Sequence, residues 1–202
     1  MAGNAFVETV AGASRDSWNA FKGFALSPVS GLAPAYDALS GHRARRAGVV
    51  FGLVVAFCFL LGGFMMLPSP RSEFLHFLGA GGIIKAILAS VMPFVSIAAA
   101  SVVVRKVSRN GGGLDGDCFV AGASLLPAGF LAPVAAMLGI GNLEVLVILA
   151  VCASCTTVLM LYAGCTRISK MSERSATLAV PIMLLLGAWL VKILAMSIMP
   201  RF

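Results

Sequence analysis

Apolar residues gather along this chain in five long blocks, at about 47–67, 80–104, 118–138, 143–162 and 176–196, separated by short polar gaps. Each block is near the roughly 20 residues that a helix needs to cross the hydrocarbon core of a bilayer. Lipid offers no partner to an open backbone amide, so a spanning block of this length must satisfy its own hydrogen bonds as a helix. The pattern predicts an all-α integral membrane bundle of five transmembrane helices. Pro68 and Pro70 are expected to end the first, a Gly-rich connector at 111–113 to precede the third, and a tight turn at Gly139 and Gly141 to join the third to the fourth.

Residues 1–46 follow a different rule. Val7, Val10, Ala11, Ser14, Trp18, Phe21 and Ala25 recur at helical spacing, while Glu8, Arg15, Asp16 and Lys22 fall elsewhere. This predicts an amphipathic helix on the membrane surface, anchored by Trp18 and Phe21. Pro28, Gly31 and Pro34 are expected to break it, leaving a short helical turn at 35–39 before Gly41. The domain reading is therefore a cytoplasmic amphipathic segment, 1–46, followed by a five-span domain, 47–202. The polar opening does not fit a secretory signal peptide, which starts with a basic region and then an apolar run.

The polar gaps are not equivalent. If the N-terminus is cytoplasmic, inside segments hold Arg15, Lys22, Arg43, Arg45, Arg46, Arg105, Lys106, Arg109, Arg167, Lys170 and Arg174, whereas the outer half keeps Arg71, Lys85, Lys192 and Arg201. Cations favour the cytoplasmic side of short loops, so this asymmetry predicts the N-terminus inside and the C-terminus outside. Arg43, Arg45 and Arg46 would hold the entry of the first span at the membrane surface. An odd number of spans also speaks against an inverted-repeat transporter built of equal halves.

Composition agrees with the pattern. Of 202 residues, 59% are hydrophobic and 11% charged, against about 25% charged in a typical soluble domain. The mean hydropathy is +0.98. A net charge of +7 would suggest nucleic acid in a soluble protein. Here the cations flank spans, so the expected partners are the lipid bilayer and its anionic headgroups, and nucleic acid is not expected. The amphipathic N-terminal segment is a candidate surface for a protein partner, and the oligomeric state is left open.

Few residues carry candidate chemistry. Ionisable groups in a bilayer are costly, which singles out Lys85, Glu144 and Lys192, all expected in the outer third of the membrane. One reading makes them a polar binding site open to the outer face, with Glu144 paired to a lysine. The plainer reading has both lysines snorkelling to the interface and Glu144 among the headgroups. Cys58, Cys118, Cys152, Cys155 and Cys165 are odd in number and lie in or beside apolar blocks, which argues against a disulfide framework. Cys152-x-x-Cys155 is half of a zinc-ligand pattern without its second half, so the two are expected to be small packing residues, and no metal or cofactor is expected. Pro93, Pro127, Pro133 and Pro181, with small residues around them, are read as packing features. His42 and His76 fall in gaps on opposite sides, and no hydrolase or protease motif occurs in the spans.

The order of these features resembles the Yip family of Ypt/Rab-interacting five-span membrane proteins, in its bacterial form. The run Phe119-Val120-Ala121-Gly122-Ala123-Ser124-Leu125-Leu126-Pro127 is similar to the family's aromatic-x-x-Gly-Tyr-Ser-Leu-x-Pro segment in the third span. Leu161-Tyr162-Ala163-Gly164 is similar to the Tyr-x-Gly that closes the fourth, and 26–32 resembles the segment before the first. Gly122, Ser124, Pro127, Tyr162 and Gly164 would then be the family's packing residues. Ala123 stands where relatives have Tyr, and the Asp-Leu-Tyr-Gly-Pro motif of eukaryotic members survives only as a scrambled echo at Ala35-Tyr36-Asp37-Ala38-Leu39. Rab binding is therefore not carried over. The resemblance implies a non-enzymatic membrane-organising or adaptor subunit in a bacterial inner membrane. The alternatives are a small transporter or channel component using the outer polar cluster, and, more remotely, a lipid-processing enzyme.

Overall fold

A computed structural model describes residues 2–25, 27–39, 41–66, 71–108, 113–139 and 142–198. The side chains of 2–11, 71–80, 194, 195, 197 and 198 lie outside the description. Pro68, Pro70, Arg109, Gly111, Gly112, Gly141 and Arg201 also lie outside it, as do the side chains of Val7, Val10, Ala11, Glu8, Arg71 and His76. Of the described residues, 94% are helical and none lies in a strand. Among the described residues seven α-helices follow one another: α1 (Ala2–Ala25), α2 (Pro28–Leu39), α3 (His42–Met65), α4 (Arg71–Val107), α5 (Leu114–Leu138), α6 (Leu143–Ala163) and α7 (Glu173–Ile198). The last five each contain a stretch long and apolar enough to cross a membrane.

At the centre is the α3–α5 pair, flanked by α4 and α6, while α7 lies mainly against α4. Water does not drive helices together inside lipid, so their contact depends on close van der Waals packing at small residues. Gly48 and Gly122 supply it. A methyl group at Gly122 would run into the Gly48 carbonyl, and one at Gly48 into the Cys118 carbonyl and the Phe119 backbone. Gly62 against Ala132 and Gly129 against Val55 continue the seam toward the far end of the bundle.

Two elements depart from the sequence reading. Residues 28–39 form one continuous helix rather than a broken segment. Pro28 occupies the first turn, where a missing N–H costs nothing, and the Gly31 amide reaches the Ser27 carbonyl at 2.8 Å. Gly31 is required because α1 crosses there, with the Gly23 carbonyl where a side chain would stand. Pro34 does deprive the Ser30 carbonyl of its amide, but both residues are on the exposed face. Helix α4 is likewise far longer than the expected 80–104, at 37 residues, or ~55 Å. The apolar stretch Gly81–Val107 is only its second part.

The N-terminal helices are built into the core. Phe24 and Leu32 are 3% and 0% exposed. A chain of aromatic rings runs from α1 through α3 to α5 and back to α2, by way of Phe24–Phe51 (5.6 Å), Phe51–Phe119 (6.0 Å) and Phe119–Tyr36 (5.6 Å). Gly41, at φ 49°, makes the reversal from α2 into α3, a conformation that glycine adopts without steric cost.

Candidate functional site

The three described ion pairs all lie at one end of the bundle, where the spans carry their arginines. Arg43, at the start of α3, grips Asp16 of α1 through two nitrogens, at 2.8 and 2.6 Å. Arg45 lies 3.5 Å from Asp115 at the start of α5, and its guanidinium also meets His42 Nδ1 at 3.0 Å. Arg46 is exposed. Of the three arginines expected to anchor the surface, two therefore bind neighbouring helices as well.

Deepest of the three is Asp117. Its side chain is 1% exposed and accepts hydrogen bonds from Ser101 Oγ at 2.9 Å and Arg105 Nε at 2.8 Å, both from α4. A carboxylate without partners would be very costly at that depth, so this pair and its hydroxyl fix how α4 meets α5. Tyr36 stands just above. Burial raises its phenol above the ordinary 10.0, and the carboxylates of Asp115, Asp37 and Asp117 push it further in the same direction. The sequence did carry a signal for this cluster. Asp115 and Asp117 open the third span on the side where Arg105 and Lys106 close the second.

The polar residues expected near the outer face are not assembled in this way. Lys85 on α4, Glu144 at the start of α6 and Lys192 on α7 are all exposed, and no ion pair joins them among the described residues. Helices α4 and α7 are neighbours, but α6 packs mainly on α5 and α2. Cys152 and Cys155 are exposed as well, which corrects their reading as packing residues. Helix α6 buries little of itself, 17% of its apolar window among the described residues.

The residues of the runs 119–127 and 161–164 occupy central positions. Gly122 abuts α3, Ser124 is fully buried, and Gly164 lies against Val120 so closely that a side chain there would collide with it. Pro127 and Tyr162 are half-buried beside them. Gly164 also opens a π-helical turn, Gly164–Ile168, closed by the Ser169 amide on the Gly164 carbonyl at 3.0 Å.

Trp18 and Phe21 stack at 5.9 Å, and Phe21 reaches Phe130 of α5 at 6.3 Å. Helix α1 is thus seated against the bundle along its aromatic side, while Asp16 ties it to Arg43. The Arg43 hydrogen bond and charge hold the Asp16 carboxyl below its ordinary 3.8. A depressed carboxyl stabilises the docked form above its unfolded pKa and loses that contribution as the pH falls through the lowered folded value. The protection of the α1 amides, measured against their intrinsic exchange rates at each pH, should therefore fall on acidification below 3.8. In Asp16→Asn this acid-dependent component should vanish, and an unchanged profile in that variant would assign the effect to another group.

Comparisons with known protein families, with curated protein sequences and with solved structures found no match. On the described residues, the chain is identified as a multi-pass membrane protein with an α1–α2 platform joined to its arginine-rich end.

Proposed function

We propose that this chain is a Yip-like adaptor that organises other components at a membrane and carries out no chemistry of its own. In this reading the N-terminus and the platform face the cytoplasm, the C-terminus lies outside, and the membrane is a bacterial inner membrane. The positive-inside rule supports that orientation.

The observation that carries the reading is the way α1 and α2 enter the core. Phe24, Leu32 and Leu39 are buried among residues of the spans. Their outer face, with Arg15, Asn19, Ser30, Asp37 and Ala38 exposed, is therefore held in one shape at the membrane surface. A preformed surface loses less conformational entropy on binding than a flexible tail would. The Yip-like residues Gly122, Ser124 and Gly164 lie at helix contacts, consistent with a family whose shared motif maintains a scaffold.

The platform is tested by reversing its charges in the full chain. Arg15→Glu with Asp37→Lys changes only exposed side chains, so the bundle should fold as before. Affinity purification in mild detergent should recover a stoichiometric protein partner with the wild type and lose it with this variant. Equal recovery with both would remove the platform from the interaction. Absence of any partner with the wild type would overturn the adaptor reading.

A further inference from the structure

Between α1 and the central pair runs an apolar groove of about 210 Å³. Trp18 and Phe21 form one wall, Val50 and Val54 of α3 the second, and Leu126 and Phe130 of α5 the third. Its depth follows from helix geometry. Val50 and Val54 lie ~5–10 Å along α3 from Ala47, where the apolar block begins, and Leu126 and Phe130 lie ~12–18 Å along α5 from Cys118. The groove therefore lies at the level of acyl chains and extends toward the middle of the bilayer. Trp18 is 57% exposed there, so one side wall is open.

Two cations adjoin the groove. Lys22 Nζ sits 5.3 Å from the centre of the Trp18 ring. Arg46 is one helical turn before Val50 and two before Val54, on the α3 face that lines the groove. Both cations are exposed. Arg43, by contrast, is engaged by Asp16. An apolar slot at acyl depth with two cations beside it matches an anionic amphiphile in both shape and charge.

We propose that this groove is a binding site for an anionic phospholipid of the leaflet facing the α1–α2 platform, with one acyl chain between Trp18 and Val54 and its headgroup phosphate near Lys22 and Arg46. A bound lipid would complete the contact of α1 with the spans. The inference does not depend on the adaptor reading, since a lipid can occupy the groove whether or not a protein partner exists.

Tryptophan fluorescence tests it directly. Trp189→Phe leaves Trp18 as the sole tryptophan of the full chain. This protein is reconstituted in phosphatidylcholine vesicles holding a minor fraction of phospholipid brominated on its acyl chains, with either a phosphatidylglycerol or a phosphatidylcholine headgroup. Each cation near the surface should favour the anionic lipid about fivefold. With two cations, brominated phosphatidylglycerol should then quench Trp18 at roughly one twenty-fifth of the concentration that the phosphatidylcholine form requires. Lys22→Glu with Arg46→Glu should erase that preference. Val54→Phe, which fills the groove without touching the rim, should reduce both lipids to the weak quenching of unselective contact. Equal quenching by the two headgroups in the parent would overturn the proposal. So would a preference that survives the charge reversal, or quenching that Val54→Phe leaves intact. Helicity and monodispersity of each variant confirm that folding is not what changed.

Discussion

Arg105→Met is expected to destabilise the bundle by about 3–5 kcal/mol, the usual cost of stripping one partner from a buried ion pair. Asp117 would be left 1% exposed with only the Ser101 hydroxyl as donor. Removing that hydroxyl instead should cost less. The Ser101 hydroxyl donates to a carboxylate, and a hydrogen bond to a charged group contributes about 1.5–3 kcal/mol. Ser101→Ala is thus the internal control. Unfolding in mixed detergent and denaturing micelles, followed by circular dichroism, measures both. The double variant Arg105→Met with Asp117→Leu should recover most of the loss, since apolar replacements of a buried pair are often neutral. If Arg105→Met costs no more than Ser101→Ala, water reaches Asp117 and the pair is not the clamp described above.

The second large effect is expected at the glycine seam. Gly122→Ala places a methyl group against the Gly48 carbonyl, which is backbone and can yield only if α3 and α5 separate. Overpacking of this kind costs about 1–3 kcal/mol and occasionally more. The contact here lies at the centre of the bundle, so the upper part of that range is expected. Gly63→Ala is the contrast, because nothing lies within 4 Å of its added carbon. There the helix propensity of alanine acts alone and should stabilise by up to ~1 kcal/mol. Both substitutions are the same chemical change on helices of the same pair. Similar unfolding midpoints for the two variants would mean that α3 and α5 are not held at the close approach described.

The site was less legible than the spans, and particular residues show why. Lys85, Glu144 and Lys192 attracted notice because each is ionisable in an apolar context, yet depth along a helix says nothing of the direction in which a side chain points. Asp117 is the converse case, because an aspartate near a span boundary looks interfacial until the neighbouring helix is known. The same holds for Pro28 and Pro34. As isolated residues they read as breaks, but one occupies a first turn and the other faces outward, so α2 continues through both.

The sequence by itself determined the five apolar helices and the clustering of cations in alternate gaps. Those properties depend on the length and composition of each segment, which lipid tests one segment at a time. It also pointed to the small residues of the third span. Only the tertiary structure decided that Gly122 meets Gly48, that Asp117 is held by Arg105, and that α1 and α2 are part of the core. Each of these depends on which helices are neighbours and how each is rotated about its axis. That choice is made by close packing between segments far apart in the chain, and no single segment contains it.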